Sequence, residues 1–104
     1  MPKLYNKLVR DRIPEIIEGQ GKHCHVEVLT EAAYLQKLEQ KLHEELAEYE
    51  ESGQVEELAD LLEVIAAAAE ARGCTWQQLL KIREEKRKTR GGFEKRLLLL
   101  EVTE

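Results

Sequence analysis

The stretch LHEELAEYEESGQVEELADLLEV, residues 42–64, carries nine acidic side chains and no lysine or arginine, in a chain with sixteen basic residues. Its apolar residues recur at spacings of three and four on either side of Ser52-Gly53, so it reads as two amphipathic helices joined by a tight turn. Carboxylates three or four apart on a helix repel by roughly 0.2–0.5 kcal/mol per pair. Water, a basic partner or a bound cation must offset that repulsion.

The neighbouring sequence extends both helices. Leu35, Leu38, Leu42, Leu46 and Tyr49 form one apolar stripe, and Thr30 fits an N-cap with Leu29 and Tyr34 placed to staple the helix entry. After the turn, Val55, Leu58, Leu62, Ile65 and Ala69 form a second stripe with a shoulder of Leu61, Val64 and Ala68, and Gly73 suits the helix end. A helix apolar over so much of its circumference is expected to be buried. TWQQ, residues 75–78, fits a capping box opening a fourth helix that turns basic before RGGF breaks it. YNKLVRDRIPEIIEGQG near the start reads as an entry loop and short helix, with Pro14 in the first turn and Gly19 and Gly21 ending it. KHCHVEVL fits a short extended segment, and FEKRLLLLEV suits strand or helix equally. The expected fold is all-α: one domain over residues 1–104, a bundle of about four helices completed by oligomerisation with the third helix near the interface.

Composition narrows the class. Aromatic residues are only 5% of the chain, and the apolar content is mostly Leu, Ala, Ile and Val, as helical proteins favour. No apolar run approaches the roughly 20 residues of a membrane span, and the start lacks a secretory signal, so no membrane and a cytoplasmic location are expected. Two cysteines, Cys24 and Cys74, are too few for a disulfide framework. The net charge of −5 is unevenly laid out: residues 81–96 hold eight of the sixteen basic side chains, and Lys3, Lys7, Arg10 and Arg12 lie near the start. An acidic centre is flanked by basic ends.

At about 100° per residue, Glu45 and Glu48 fall on one flank of the first acidic helix, with Glu44 and Glu51 pointing nearly opposite to its stripe. On the next helix Glu57 lies within the apolar shoulder and Asp60 beside it. Glu48 and Glu57 are each roughly 7 Å along the axis from the turn, Glu45 and Asp60 each roughly 11 Å. An antiparallel hairpin therefore brings four carboxylates to one level. Close like charges raise one another's pKa, and a hard divalent cation with oxygen ligands relieves the conflict, Mg²⁺ being the common choice in phosphate chemistry. Asp60 is one of only two aspartates beside nineteen glutamates. Asp is the poorer helix former, which suggests that a shorter reach was needed at that position.

EELAE followed by ELAD resembles the EExxE…ExxD motif of the all-α nucleoside triphosphate pyrophosphohydrolases. That superfamily includes MazG-type enzymes, dimeric dUTPases and phosphoribosyl-ATP pyrophosphohydrolase. YNKLVRDRIPEII and KTRGGFEKR are similar to one subgroup, described as phosphoribosyl-ATP pyrophosphohydrolase-like or house-cleaning enzymes. The resemblance implies Mg²⁺-dependent hydrolysis, with Mn²⁺ as a substitute, between the α- and β-phosphates of a nucleoside triphosphate, giving a monophosphate and pyrophosphate. It implies Glu45, Glu48, Glu57 and Asp60 as metal ligands, Glu44 and Glu45 as catalytic, and a homodimer or homotetramer. It also gives the basic ends a purpose: Lys7, Arg10, Arg12, Lys88 and Arg90 could clamp phosphates, with Gly91 and Gly92 allowing close backbone approach.

Other readings of the same residues compete with this one. The substrate of the subgroup's histidine-biosynthesis namesake is an alternative to an ordinary or damaged nucleotide, and no element looks like a dedicated base pocket. Trp76, at a helix start, suits packing better than base stacking. His23, Cys24 and His25 would alternate across a strand and lack a CxxC partner, which argues against zinc. A non-catalytic helical interaction module, docking its acidic centre on a basic partner, is the rival from another class. Nucleic-acid binding by residues 81–96 is disfavoured by the negative net charge and the absence of interleaved aromatics.

Overall fold

The computed structural model describes residues 2–104. Four helices account for all regular structure among them: α1 (Ile13–Gly19), α2 (Glu31–Ser52), α3 (Val55–Ala71) and α4 (Trp76–Arg90). The chain is all-α, and no helix is long and apolar enough to cross a membrane.

The helix boundaries follow the side-chain chemistry. Thr30 caps α2 by accepting a hydrogen bond from the Ala33 amide at 3.2 Å. Thr75 and Gln78 close a reciprocal capping box on α4, at 3.2 and 2.9 Å. Pro14 sits in the first turn of α1, where its missing N–H is not needed. Gly53 ends α2 in the left-handed conformation with φ of 67°, and its amide donates to the Tyr49 carbonyl. That geometry, which suits glycine, lets α3 begin two residues later and makes α2–α3 a tight antiparallel hairpin.

The hairpin dominates the helix packing; α3 and α4 touch less extensively, and α1 packs closely against no other helix. Leu38 on α2 is the one buried apolar side chain among the described residues. On α3 the shoulder of Leu61, Val64 and Ala68 is half-buried. The main stripe of Val55, Leu58, Leu62 and Ile65 stays largely exposed. The shoulder thus provides the shielding within the chain, and the single chain does not bury the rest of α3.

Two further expectations are corrected. KHCHVEVL is irregular rather than a strand, and the segment from Phe93 onward is neither strand nor helix. Both segments lack a neighbouring strand to pair with, and alternation alone cannot stabilise an isolated strand. The backbone turns sharply after α4, with Gly91 at φ 85° and ψ 175°, a region open essentially to glycine alone.

The shape is extended, at 63 × 31 × 24 Å with a radius of gyration of 18.3 Å, where a compact chain of this length has about 13 Å. Its accessible surface is 9862 Å², whereas a folded monomer of 12.0 kDa exposes about 6,000 Å².

Candidate metal and phosphate site

The hairpin brings the acids together in two overlapping groups. One oxygen each from Glu45, Glu57 and Asp60 lies within 4.8 Å of the others, and Glu44, Glu45 and Glu48 form a second group at the same limit. Glu45 belongs to both. The four residues matched in depth are therefore gathered around Glu45, with Glu48 on the α2 side and Glu57 and Asp60 across the hairpin. Glu44 departs from its expected direction: its long side chain brings the carboxylate back toward Glu45 and Glu48 instead of pointing away.

Glu45 is the unusual member. It is 7% exposed, and its Oε2 is buried with no hydrogen-bond partner. Glu48 alongside can donate nothing while both are ionised. The Glu45 Oε1 lies 3.4 Å from the Lys41 ammonium, one helical turn earlier. Burial pushes the Glu45 carboxyl above the usual carboxylate range, and the neighbouring Glu48 pushes in the same direction more strongly than Lys41 opposes it. A buried, unpartnered carboxylate oxygen costs about 1–3 kcal/mol unless a proton or a cation meets it.

The basic N-terminal strap crosses this cluster. Arg10 Nη2 donates to Asp60 Oδ1 at 2.8 Å, and Lys7 Nζ donates to Glu44 Oε1 at 3.2 Å. Lys41 also reaches Glu44 Oε1, at 3.3 Å. Burial works to raise the Glu44 pKa, but the hydrogen bond from Lys7 and the charge of Lys41 hold the carboxyl below its ordinary value. The Lys7 ammonium is raised in turn, first by its hydrogen bond to Glu44 and then by that carboxylate's charge. Lys37 fixes the strap from the side by donating to the Asn6 carbonyl at 3.3 Å. Apart from half-buried Leu8, residues 2–12 are exposed, so polar contacts with α2 and α3 hold most of the strap.

The other proposed phosphate contacts are placed differently. Arg12 turns to Glu15 on its own helix and reaches none of the clustered carboxylates. Lys88 and Arg90 make no ion pair among the described residues. At Gly92, the nearby Arg87 guanidinium, paired with Glu94, occupies the space a Cβ would need. The glycine pair thus shapes the exit from α4, and no contact links it to the carboxylates. His23, Cys24 and His25 gather into no metal-ligating group; the Cys24 thiol instead faces the Pro14 carbonyl at 3.9 Å. Trp76 is exposed and lines a groove together with Ala59, Leu62, Glu63 and Ala66.

Lys41 and Lys37 are site residues that the sequence reading overlooked. Lys41 stands just outside the cation-free stretch, and its spacing of three and four from Glu44 and Glu45 was the available signal. Nothing local marks Lys37, whose partner is thirty-one residues away.

The donor set suits a hard divalent cation. It is all carboxylate oxygen, drawn from two rigid helices, with one buried oxygen left without a donor. Comparison of the chain with protein-family models, with curated proteins and with solved structures finds no match.

Proposed function

We propose that the chain is a divalent-metal-dependent nucleoside triphosphate pyrophosphohydrolase of the MazG-like all-α kind, cleaving between the α- and β-phosphates to release a monophosphate and pyrophosphate. The observation that carries this reading is the unpartnered buried oxygen of Glu45, set among Glu44, Glu48, Glu57 and Asp60. A solvated acidic face would not bury such an oxygen, and docking on a basic protein would not require one.

Glu45, Glu57 and Asp60, with Glu48 adjacent, would hold Mg²⁺ or Mn²⁺. The ion supplies charge neutralisation for phosphate oxygens and lowers the pKa of water. Lys7 and Arg10 already lie at the carboxylates, so they reach the same space as an incoming triphosphate. With Asp60 engaged by the ion, Arg10 is free to turn its planar fork to phosphate oxygens, while Lys7 stays beside Glu44 and offers them its remaining donors. Glu44, kept ionised by Lys7 and Lys41, is available to orient a water or accept its proton. Phosphoryl transfer rests mainly on positioning and charge stabilisation, which these groups offer.

The same reading includes assembly as a homodimer or homotetramer. One buried leucine and a surface of 9862 Å² leave the chain far short of a complete core.

The test is a panel of ordinary and modified nucleoside triphosphates, together with phosphoribosyl-ATP, incubated with Mg²⁺ and resolved by ³¹P NMR. Equal amounts of monophosphate and pyrophosphate are expected from at least one of them. Release of orthophosphate and a diphosphate would place the cut at the wrong bond, and no turnover across the panel would favour a non-catalytic interaction module.

A further inference from the structure

The segment after α4 is an apolar arm, tied to its own chain by the Glu94–Arg87 pair at its start and with its leucines uncovered by the described residues. Leu97, Leu98, Leu99 and Leu100 are 79–85% exposed, and Phe93 and Val102 are similarly bare. Among the described residues, the only backbone hydrogen bond formed by residues 93–104 outside helices is a turn from the Arg96 amide to the Phe93 carbonyl. Leucine side chains left in water forgo the main driving force for folding.

A surface of matching character lies on α3. Val55, Leu58, Leu62 and Ile65 form an exposed apolar stripe, and beside it Ala59, Leu62, Glu63, Ala66 and Trp76 line a groove of about 350 Å³. Ala59 and Ala66 are short, leaving room for larger side chains to enter. Residues 93–102, fully extended, span roughly 33 Å, and the 17-residue α3 is about 26 Å long, so one arm can cover the helix. The charges also complement each other: Lys95 and Arg96 precede the leucines, while Glu63 lines the groove.

We infer that the arm of one copy, residues 93–102, seats in the α3–Trp76 groove of a second copy, so that two chains exchange arms about a twofold axis. The occupant is the same chain because each copy carries both an unfilled groove and an arm that fills nothing of its own. Reciprocal exchange then satisfies both at once, as an isologous interface does. The area agrees. The surface in excess of a compact monomer is about 3,900 Å² per chain, or about 7,800 Å² for two chains, more than the 2,000–5,000 Å² in total that an obligate homodimer interface buries, so the exposed surface is ample for one. The inference builds on the assembly included in the reading above and is independent of the carboxylate chemistry.

The experiment uses cysteine trapping in the full chain with Cys24 and Cys74 changed to serine. Leu62→Cys and Leu99→Cys are placed on separately tagged chains, coexpressed, and oxidised under mild conditions. The expected result is a disulfide joining the two different tags, with light scattering reporting a dimer or a multiple of it. Ending the chain at Gly92 is expected to abolish that association. If the protein is multimeric but no cross-chain disulfide forms, arm exchange is overturned while assembly stands. If the double variant Leu62→Cys/Leu99→Cys forms a disulfide only within its own chain, the arm folds back and the inference is likewise overturned. A monomeric full-length protein overturns arm exchange and the proposed assembly together, and leaves the metal site to its own tests.

Discussion

Replacing Arg10 with Gln separates two opposing uses of one side chain. Arg10 holds Asp60 at 2.8 Å, with the two side chains 57% and 44% exposed. An ion pair that open to water contributes only about 0.2–1 kcal/mol, because solvent and salt screen it. A divalent ion binding at Asp60 must overcome that contribution, so Arg10→Gln should tighten Mn²⁺ binding by about 1.4- to 5-fold. The effect on turnover has the opposite sign. If Arg10 turns to the triphosphate, the lost charged hydrogen bond removes about 1.5–3 kcal/mol and lowers kcat/KM by roughly one to two orders of magnitude. Calorimetric Mn²⁺ titration at low and moderate salt measures the first effect, and pyrophosphate release measures the second. The gain in affinity should shrink as salt rises, since salt already weakens the Arg10–Asp60 pair. Mn²⁺ affinity that is unchanged or weaker in the variant would refute competition between strap and metal.

Further predictions concern stability and pH. The Glu45 pKa is raised in the folded chain, so between its unfolded and folded values the folded state binds more protons. Glu45 therefore subtracts stability as pH rises through its folded pKa. Glu45→Gln should remove that component, raising the metal-free melting temperature most above that pH, as the difference between wild-type and variant scans would show; equal pH profiles would contradict it. Glu44 contributes in the opposite direction, its stabilisation being lost as pH falls through its lowered pKa, which is why the difference between the two proteins is the quantity to follow. Leu38→Ala removes the one buried leucine among the described residues and should cost about 2–5 kcal/mol, seen as a lower urea midpoint or loss of the folded state. Thr75→Ala breaks the capping box and should cost about 1 kcal/mol, with faster hydrogen exchange confined to the first turns of α4.

The hairpin was legible because local rules fix it. Stripe periodicity, the Thr30 and Thr75 caps and the Ser52-Gly53 turn each act within a few residues, and all agree with the structure. Equal distance from the turn then sufficed to bring Glu45, Glu57 and Asp60 together across two helices. Glu44 escaped because rotation about the axis locates a Cα, whereas a glutamate side chain is long enough to bring its carboxylate round the helix toward Lys7 and Lys41. The strap was read as a phosphate clamp without its present partners, since Arg10 and Asp60 are fifty residues apart and no periodicity links them. For FEKRLLLLEV no local rule could decide, because its conformation depends on what covers it. The two α3 stripes were visible, but which one faces α2 is set by packing across the hairpin.

The most direct test of the central claim is a Mn²⁺ titration of the metal-free protein, followed by the electron paramagnetic resonance of the free ion. Wild type should bind Mn²⁺ saturably, and Asp60→Asn and Glu57→Gln should each weaken that binding by about tenfold or more while circular dichroism stays unchanged. Wild-type protein that leaves all the Mn²⁺ free, or folded variants that bind it as tightly as wild type, would contradict the assignment of these carboxylates as a divalent-cation site.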